Sequence, residues 1–352
     1  MMKMRKATAF CLLLLGILCS SCGGKRKLYD EMGDNGLTTR TENLQANLRT
    51  FVNKGVLIGQ QYGTLEGIGW RDDSVNIGDI QSICNDTPSC IGYELCGIER
   101  GLKTNADSIT FEAIRRDALR LFKRGGLVLM DWTMPDYRGD EKLFETWTAR
   151  MADYLTSLQD DYGIKAPVVL FLCPQDGTSW YTKLSPEAYK SFFERIIDRL
   201  KSLGVTNVLY GSSWADLSEE NRVASSLPDG IDVLNLSLLQ TDGNDTAYRS
   251  RLDHELPILM EMAQSRNLVP GLTTGIKALS VTDYFSNILL PVLRSQRLSY
   301  ILLGANRGEA YDGHFYVPYP GSDERLIDDF VKFYNDDSTI FLRELNGLYL
   351  KK

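Results

Sequence analysis

Apolar and polar residues alternate along this chain with two different periods. Short runs of apolar, often β-branched residues predict strands, and longer segments with apolar residues every three or four positions predict amphipathic helices. The predicted strands lie at 56–58, 91–95, 127–130, 168–172, 207–210, 233–236, 269–273 and 299–303. The clearest predicted helices lie at 111–123, 142–160, 186–203 and 284–296. Strands and helices therefore follow one another regularly through most of the chain.

This order of elements predicts an α/β fold class, and within it a (β/α)8 TIM barrel. About 310 residues follow the N-terminal leader, which suits one large domain better than two small ones. Eight strand-helix units in one domain of this size indicate a closed barrel. An open, doubly wound sheet is the alternative. It is disfavoured because the turn at 59–63 (GQQYG) lacks the glycine spacing of a phosphate-binding loop.

The first residues predict export and a lipid anchor. Positions 1–6 are basic and positions 9–18 almost wholly apolar, a run too short to cross a bilayer. The run ends just before Cys22, which we expect to be the acylated residue of an outer-membrane lipoprotein. An ordinary signal peptide with an incidental cysteine is the alternative. The predicted segments are a lipoprotein signal peptide (1–22), a tether (23–43) and the barrel (44–352).

Charge and cysteine content narrow the partners. The formal net charge of −7 and the isoelectric point near 5.1 disfavour nucleic acid. An acidic cluster just after the lipidated cysteine would favour export to the cell surface, but the run Lys25-Arg26-Lys27 is found there instead. The cell surface and the periplasmic face of the outer membrane are therefore both possible locations. Beyond the leader, four cysteines remain, as free thiols or in pairs such as Cys84 with Cys90. No metal or other cofactor is predicted, because only two histidines are present and no CxxC pair accompanies them.

Aromatic and polar residues follow several of the predicted strands. In a TIM barrel, the loops after the strand C-termini hold the functional site. Aromatic faces beside amides and carboxylates are typical of a sugar-binding cleft, although each ring could instead cap the barrel core. The residues at these strand ends are Gln60, Tyr62, Trp70, Glu94, Glu99, Asp131, Trp132, Asp136, Tyr137, Gln175, Asp176, Trp180 and Tyr181.

Several motifs together resemble glycoside hydrolase family 26, the β-mannanase family. They are GVLIGQQ at 55–61, GIGW at 67–70, IGYELCGIE at 91–99, GGLV at 125–128, DWTM at 131–134 and the closing segments at 298–307 and 313–321. The similarity extends from about residue 44 to 349. It implies a retaining endo-β-1,4-mannanase barrel, in which two carboxyl groups about 5 to 5.5 Å apart act as nucleophile and as acid/base.

Both catalytic glutamates of that family are missing. Counting back from Trp180, Gln175 takes the acid/base position after the fourth strand, and an amide does not titrate in the usable range. Thr274 is the best match for the nucleophile after the seventh strand, and no base is present to activate it. Supporting residues of the family are also replaced, at Thr133, at 237–239 and at Gly304.

Three hypotheses of function follow. The chain binds β-mannan or a related β-linked glycan with little or no hydrolysis; or it hydrolyses one with relocated carboxylates such as Asp176, Asp131, Glu94 or Glu99; or it is an interaction protein with a closed cleft. The residues predicted to contact the glycan are Trp70, Glu99, Asp131, Trp132, Asp176, Trp180, Tyr181, Asn306 and Arg307.

Overall fold

A computed structural model of the chain describes residues 31–71, 77–307 and 313–351. Eight parallel strands form its centre, and the last pairs with the first, so the sheet is closed. The barrel strands are β1 (Val56–Gln61), β2 (Cys90–Glu94), β3 (Leu127–Trp132), β4 (Val168–Leu172), β5 (Val208–Trp214), β6 (Val233–Gln240), β7 (Val269–Ile276) and β8 (Tyr300–Leu303). The predicted (β/α)8 barrel is therefore confirmed.

Helices surround the strands. They are α1 (Thr39–Phe51), α2 (Asp79–Cys84), α3 (Phe111–Lys123), α4 (Glu141–Ser157), α5 (Pro186–Ser202), α6 (Glu220–Ser226), α7 (Asp245–Ser265), α8 (Leu290–Ser295) and α9 (Glu324–Tyr334). Residues just before or at the first turn determine where several of these helices begin. The side chains of Thr110 and Ser185 accept hydrogen bonds from the first turns of α3 and α5, and Pro186 suits the first turn of α5.

The predicted helix at 284–296 divides into two parts. A π-helical turn occupies Phe285–Leu289, where the amide of Leu290 bonds the carbonyl of Phe285, and α8 follows. Pro291 lacks an N–H group, which removes the regular bond to the carbonyl four residues before it. The helix predicted at 142–160 ends at Ser157 instead, because Leu158 leaves the helical conformation.

Some short elements have no counterpart in the sequence prediction. Strands Glu66–Gly67 and Trp70–Arg71 form an antiparallel hairpin after β1, and strand Thr339–Ile340 pairs in parallel with β1. Each has only two residues, too few to show an apolar period.

The N-terminal end of the barrel is closed by the first and last parts of the chain. Helix α1 begins at Thr39, before the predicted domain boundary at 44, because the side chain of Thr38 caps its first turn. The backbone N–H of Thr38 also donates to the carbonyl of Thr206 at 2.8 Å. The amide of Asn47 donates to the carbonyls of Leu348 and Leu350 at 2.8 and 2.9 Å. The predicted signal peptide, Cys22 and positions 23–30 of the predicted tether lie outside the described residues.

The four cysteines of the described chain, Cys84, Cys90, Cys96 and Cys173, are unpaired. Burial raises the thiol pKa of Cys84, Cys96 and Cys173 to about 12 in each case, so these groups stay protonated at neutral pH. Among the helices that the structure describes, none is long and apolar enough to cross a bilayer.

Candidate functional site

A cavity of about 210 Å³ with both apolar and polar lining opens at the C-terminal ends of the barrel strands. Side chains of a strand point alternately into and out of a barrel, so each strand contributes its inward residues to the cavity. The polar lining comes from β1, β3, the β4 end, β5, β6 and β7: Gln61, Asp131, Gln175, Asp176, Ser213, Asn235, Ser237 and Thr273. The cavity is therefore rich in amide and hydroxyl groups.

A hydrogen-bonded network forms the floor of this cavity. The buried Tyr300 hydroxyl donates to Asn235 Oδ1 at 2.9 Å, and Asn235 Nδ2 donates to Ser213 Oγ at 2.9 Å and to Thr273 Oγ1 at 3.2 Å. Gly271 makes the first contact possible, since a Cβ atom there would lie only 2.1 Å from the Tyr300 hydroxyl oxygen. Network bonding fixes both the Asn235 amide and the two hydroxyl oxygens that it contacts.

Asn235, Ser213 and Tyr300 were not predicted from the sequence as site residues. The sequence feature that could have indicated a polar site is the asparagine near the start of the mostly apolar strand β6, VLNLSLLQ. A buried amide must find hydrogen-bond partners, so its presence in such a strand indicates a polar barrel interior.

Gln175 lies in the cavity, as the sequence predicted for the fourth strand end. The backbone N–H of Gln175 donates to the backbone carbonyl of Ser213 at 2.8 Å, and the backbone carbonyl of Gln175 accepts from the N–H of Ala215 at 2.9 Å. These two bonds continue the pairing between β4 and β5 beyond Leu172 and hold Gln175 at the rim. The residue that the sequence analysis matched to the acid/base position is thus a neutral amide at the edge of the cavity.

On β7, Thr273 faces the cavity, and Thr274, which we matched to the nucleophile position, does not. Thr274 is fully buried outside the barrel, where its Oγ1 donates to the carbonyl of Leu238 at 2.9 Å and lies 2.6 Å from the Tyr248 hydroxyl. Strand β7 continues regularly to Ile276, so consecutive side chains alternate and only Thr273 points inward. Its hydroxyl is also neutral at neutral pH.

Asp131 is one of two carboxylates that line the cavity, the other being Asp176. Burial, and then the negative charge of Asp107, raise the pKa of Asp131 to about 7. Glu94 pairs with Asp131 in the register of β2 and β3. Burial and the charge of Asp131 raise the Glu94 pKa to about 8, against the lowering effect of a bond from the Cys96 amide. Near neutral pH, this side of the rim therefore holds protons on its carboxyl groups.

Asp176 has a different role. Its carboxylate accepts from the amides of Thr178 and Ser179 at 2.7 and 2.8 Å and from the Ser179 hydroxyl at 2.7 Å. Burial alone would raise its pKa, but these bonds hold the pKa below its usual value. The group is ionised and committed to stabilising the turn after β4.

Two predicted aromatic contacts belong to the core. Trp132 is fully buried and donates through Nε1 to Glu99 at 3.2 Å; Glu99 also accepts from the Gly97 amide at 2.8 Å. Tyr181 is fully buried as well, and the partly buried Trp180 donates to the Met134 carbonyl at 2.9 Å. None of these four side chains lines the cavity at the strand ends. These aromatic side chains therefore pack against the barrel core, which is the alternative considered in the sequence analysis.

The remaining predicted residues lie around the hairpin after β1. Trp70 Nε1 donates to Asp79 at 2.9 Å, and the buried Asn306 amide donates to the same carboxylate at 2.7 Å. Arg307 pairs with Asp107 at 2.8 Å, and its guanidinium carbon lies 5.9 Å from the Tyr62 ring centroid. Of the residues predicted to bind glycan, only Asp131 and Asp176 line the cavity. Gln175, predicted as the replaced acid/base, lies beside them.

A second cavity, of about 500 Å³, extends the first. The two share Gln175, Asp176 and Ala215, and the second continues between the segments after β4 and β5. Trp214, Lys183 and Arg222 lie along it. The two cavities therefore adjoin at the β4 and β5 ends, and together we call them the groove. No group of three or more metal-binding side chains occurs among the described residues.

Several solved structures that resemble this chain are described as β-mannanases of glycoside hydrolase family 26. One is a family 26 β-mannanase from Bacteroides ovatus, with a TM-score of 0.81 and 28% identity over 90% of this chain and 98% of that chain. Another is the catalytic domain of a family 26 endo-β-1,4-mannanase from Bacillus sp. JAMB-750, with a TM-score of 0.79 and 19% identity over 93% and 97%.

A modular endo-β-1,4-mannanase from Cellulomonas fimi is similar too, with a TM-score of 0.76 and 21% identity over 90% of this chain and 78% of that chain. No family model matches the chain. The predicted resemblance is nevertheless confirmed at the level of fold: the chain is a family-26-mannanase-like (β/α)8 barrel.

Proposed function

We propose that the protein binds a β-linked, mannan-type glycan in the groove at the barrel rim and does not hydrolyse it by the retaining route. One observation carries the proposal: the β4 and β7 ends present Gln175 and Thr273 to the same cavity, whose other polar lining includes Asn235 and Ser213. A retaining glycosidase needs two carboxyl groups at such places, about 5 to 5.5 Å apart. Neutral amide and hydroxyl groups can bind sugar hydroxyls but cannot supply that chemistry.

Hydrogen bonding is the main source of recognition in this proposal. The floor network orients Asn235, Ser213 and Thr273, and a protonated Asp131 adds a hydrogen-bond donor beside it. Ordered polar groups of this kind discriminate well, because a ligand that fails to match them leaves them unpaired. The open cavity is also a reason to prefer this function over an interaction protein with a closed cleft.

Calorimetric titration with mannohexaose, paired with an assay for new reducing ends, tests the proposal. We expect binding without hydrolysis, and Asn235→Ala should weaken binding by at least about tenfold, because it removes the centre of the floor network. Asn287→Ala, an exposed amide on the π-helical turn, is the matched control. Absence of binding to mannohexaose, or hydrolysis at the rate of an active mannanase, would refute it.

A second candidate function is a glycosidase that uses Glu94 and Asp131. These side chains are neighbours on adjacent strands, which lie about 4.8 Å apart in a sheet. Because their pKa values are raised to about 8 and about 7, both carboxyl groups can hold a proton near neutral pH, as a general acid must. This candidate predicts reducing ends that disappear in Asp131→Asn and in Glu94→Gln, whereas glycan binding in Asp131→Asn is retained.

We also propose that the chain is a lipoprotein held at the outer membrane through Cys22, a residue outside the described part of the structure. The apolar leader followed by a cysteine supports this. In Cys22→Ser, the protein should be soluble or unprocessed, as judged by membrane fractionation and by loss of labelled fatty acid. Unchanged fractionation with intact labelling would exclude Cys22 as the anchor.

A further inference from the structure

A tyrosine of the segment at 313–321 fills the inner side of the rim at the ends of β7 and β8. Thr273 and Leu302 line the cavity from these two strands. Gly275 and Gly304 come two residues later, so alternation places them on the same inward side. A Cβ atom at Gly275 would lie 2.6 Å from Cδ1 of Tyr316, and one at Gly304 would lie 2.5 Å from Cδ2. The Tyr316 ring therefore occupies the space that inward side chains at both positions would need.

Backbone hydrogen bonds hold this tyrosine at the rim. Oδ1 of the buried Asn306 accepts from the backbone N–H groups of Tyr316 and Val317 at 2.9 and 3.3 Å, and Nδ2 donates to the Val317 carbonyl at 3.1 Å. The Phe315 carbonyl accepts from the N–H of Ala278, in the segment after β7, at 2.9 Å. Tyr316 itself is only 6% exposed. The ring is therefore a packed part of the barrel mouth.

Other contacts connect the strand ends on either side of Tyr316. Arg307, after β8, pairs with Asp107, after β2, at 2.8 Å, and β1 lies between those two strands. Asp245 accepts from the Gln240 amide at 2.7 Å and from the Ser280 hydroxyl at 3.0 Å, which connects the segments after β6 and β7. Side chains thus join the rim from β6 round to β2.

The opposite part of the rim is open. There the two cavities adjoin at the β4 and β5 ends, and the small residues Gly177, Ala215 and Ser218 line the larger one. A glycan whose terminal unit enters the cavity of about 210 Å³ has space to continue at these ends. Continuing at the β7 and β8 ends would require it to displace the Tyr316 ring.

We propose that the groove takes the end of a β-linked glycan rather than the middle of a chain, because Tyr316 bounds the groove at the β7 and β8 ends. This inference rests on the proposed binding of a mannan-type glycan. A groove open at both ends can hold internal units of a polymer, whereas a groove bounded at one end admits terminal units. Residue 316 therefore determines the specificity for chain ends.

The number of protein molecules bound per glycan chain distinguishes the two modes. Calorimetric titration uses two size fractions of a soluble β-mannan, one twice as long as the other, with mannohexaose as the reference. We expect one protein molecule per chain for all three ligands. Binding that doubles on the longer fraction would overturn end binding and leave glycan binding intact. Absence of binding to all three ligands would overturn both.

Variants at Tyr316 test whether this ring bounds the groove. Tyr316→Ala frees the space over both glycines, so protein bound per chain should become about twice as high on the longer fraction as on the shorter. Tyr316→Phe keeps the ring and should keep one protein molecule per chain. Circular dichroism checks the fold of each variant, and Tyr316→Leu replaces Tyr316→Ala if the latter does not fold.

Tyr319→Ala is the matched control. Tyr319 belongs to the same segment but packs on Phe315, with ring centroids 5.3 Å apart, so its loss should leave one protein molecule per chain. One molecule per chain in a folded Tyr316→Ala or Tyr316→Leu variant would overturn the role of Tyr316. The same change in stoichiometry in Tyr319→Ala as in Tyr316→Ala would also overturn it.

Discussion

Two halves of the rim differ in where they keep titratable groups. The β4 and β7 ends hold Gln175 and Thr273, which are neutral at every ordinary pH, whereas the β2 and β3 ends hold Glu94 and Asp131, whose pKa values burial raises to about 8 and 7. Near neutral pH, Glu94 and Asp131 can therefore take up and release protons at the β2 and β3 ends, whereas Gln175 and Thr273 cannot, and Asp176 beside Gln175 is held ionised by its turn.

The largest expected effect concerns hydrolysis. Acid/base and covalent catalysis each contribute orders of magnitude, so release of reducing ends from β-mannan should be at least about a thousand-fold below that of an active family 26 mannanase. Gln175→Glu alone should not restore turnover, because β7 still presents Thr273. Mannanase-level turnover in the unmodified protein would mean that the β2 and β3 half does the chemistry.

A matched pair of threonine variants tests the assignment of the β7 position. Thr273→Val should weaken mannohexaose binding by about tenfold, since it removes a hydroxyl from the cavity, with little change in melting temperature. Thr274→Val should leave affinity unchanged and lower the free energy of unfolding by about 1 to 3 kcal/mol, because Tyr248 and Leu238 lose a buried partner. The reverse result would restore Thr274 to the cavity.

A pH series of thermal unfolding probes the β2 and β3 half. Both carboxyl groups have pKa values raised above the ordinary 3.8 and 4.5, so the folded state holds their protons more tightly than the unfolded state. Their contribution therefore favours folding at the acid end and declines as the pH rises from about 4 to about 8. In Asp131→Asn and Glu94→Gln, the melting temperature should fall less steeply over this window; an unchanged slope would contradict the raised pKa values.

The smallest effect is expected at Asp176. Asp176→Asn keeps an oxygen for the amides of Thr178 and Ser179, so stability at neutral pH should change by no more than about 0.5 kcal/mol. Affinity for mannohexaose should change by less than about threefold, because the carboxylate is committed to its turn. A loss of affinity as large as that expected for Thr273→Val would assign Asp176 to direct recognition.

The barrel could be predicted from the order of residues along the chain. All eight strands were predictable because parallel strands buried on both faces appear as separate apolar runs, and the helices between them show a period near 3.6 residues. The location of the site at the strand ends and the neutral Gln175 followed from that order and from the family resemblance. These features depend on local patterns of apolar and polar residues, which can be seen directly in the sequence.

Which side chains enter the cavity, by contrast, depends on how the strands pack in the closed barrel. A shift of one residue moves a strand side chain to the opposite face, so sequence counting could not separate Thr273 from Thr274. Trp132 and Tyr181 have the residue types of a sugar platform but point into the core, where packing and a bond to Glu99 determine their direction. The floor network likewise joins Ser213, Asn235, Thr273 and Tyr300 from four strands, and their contacts exist only after the barrel has closed.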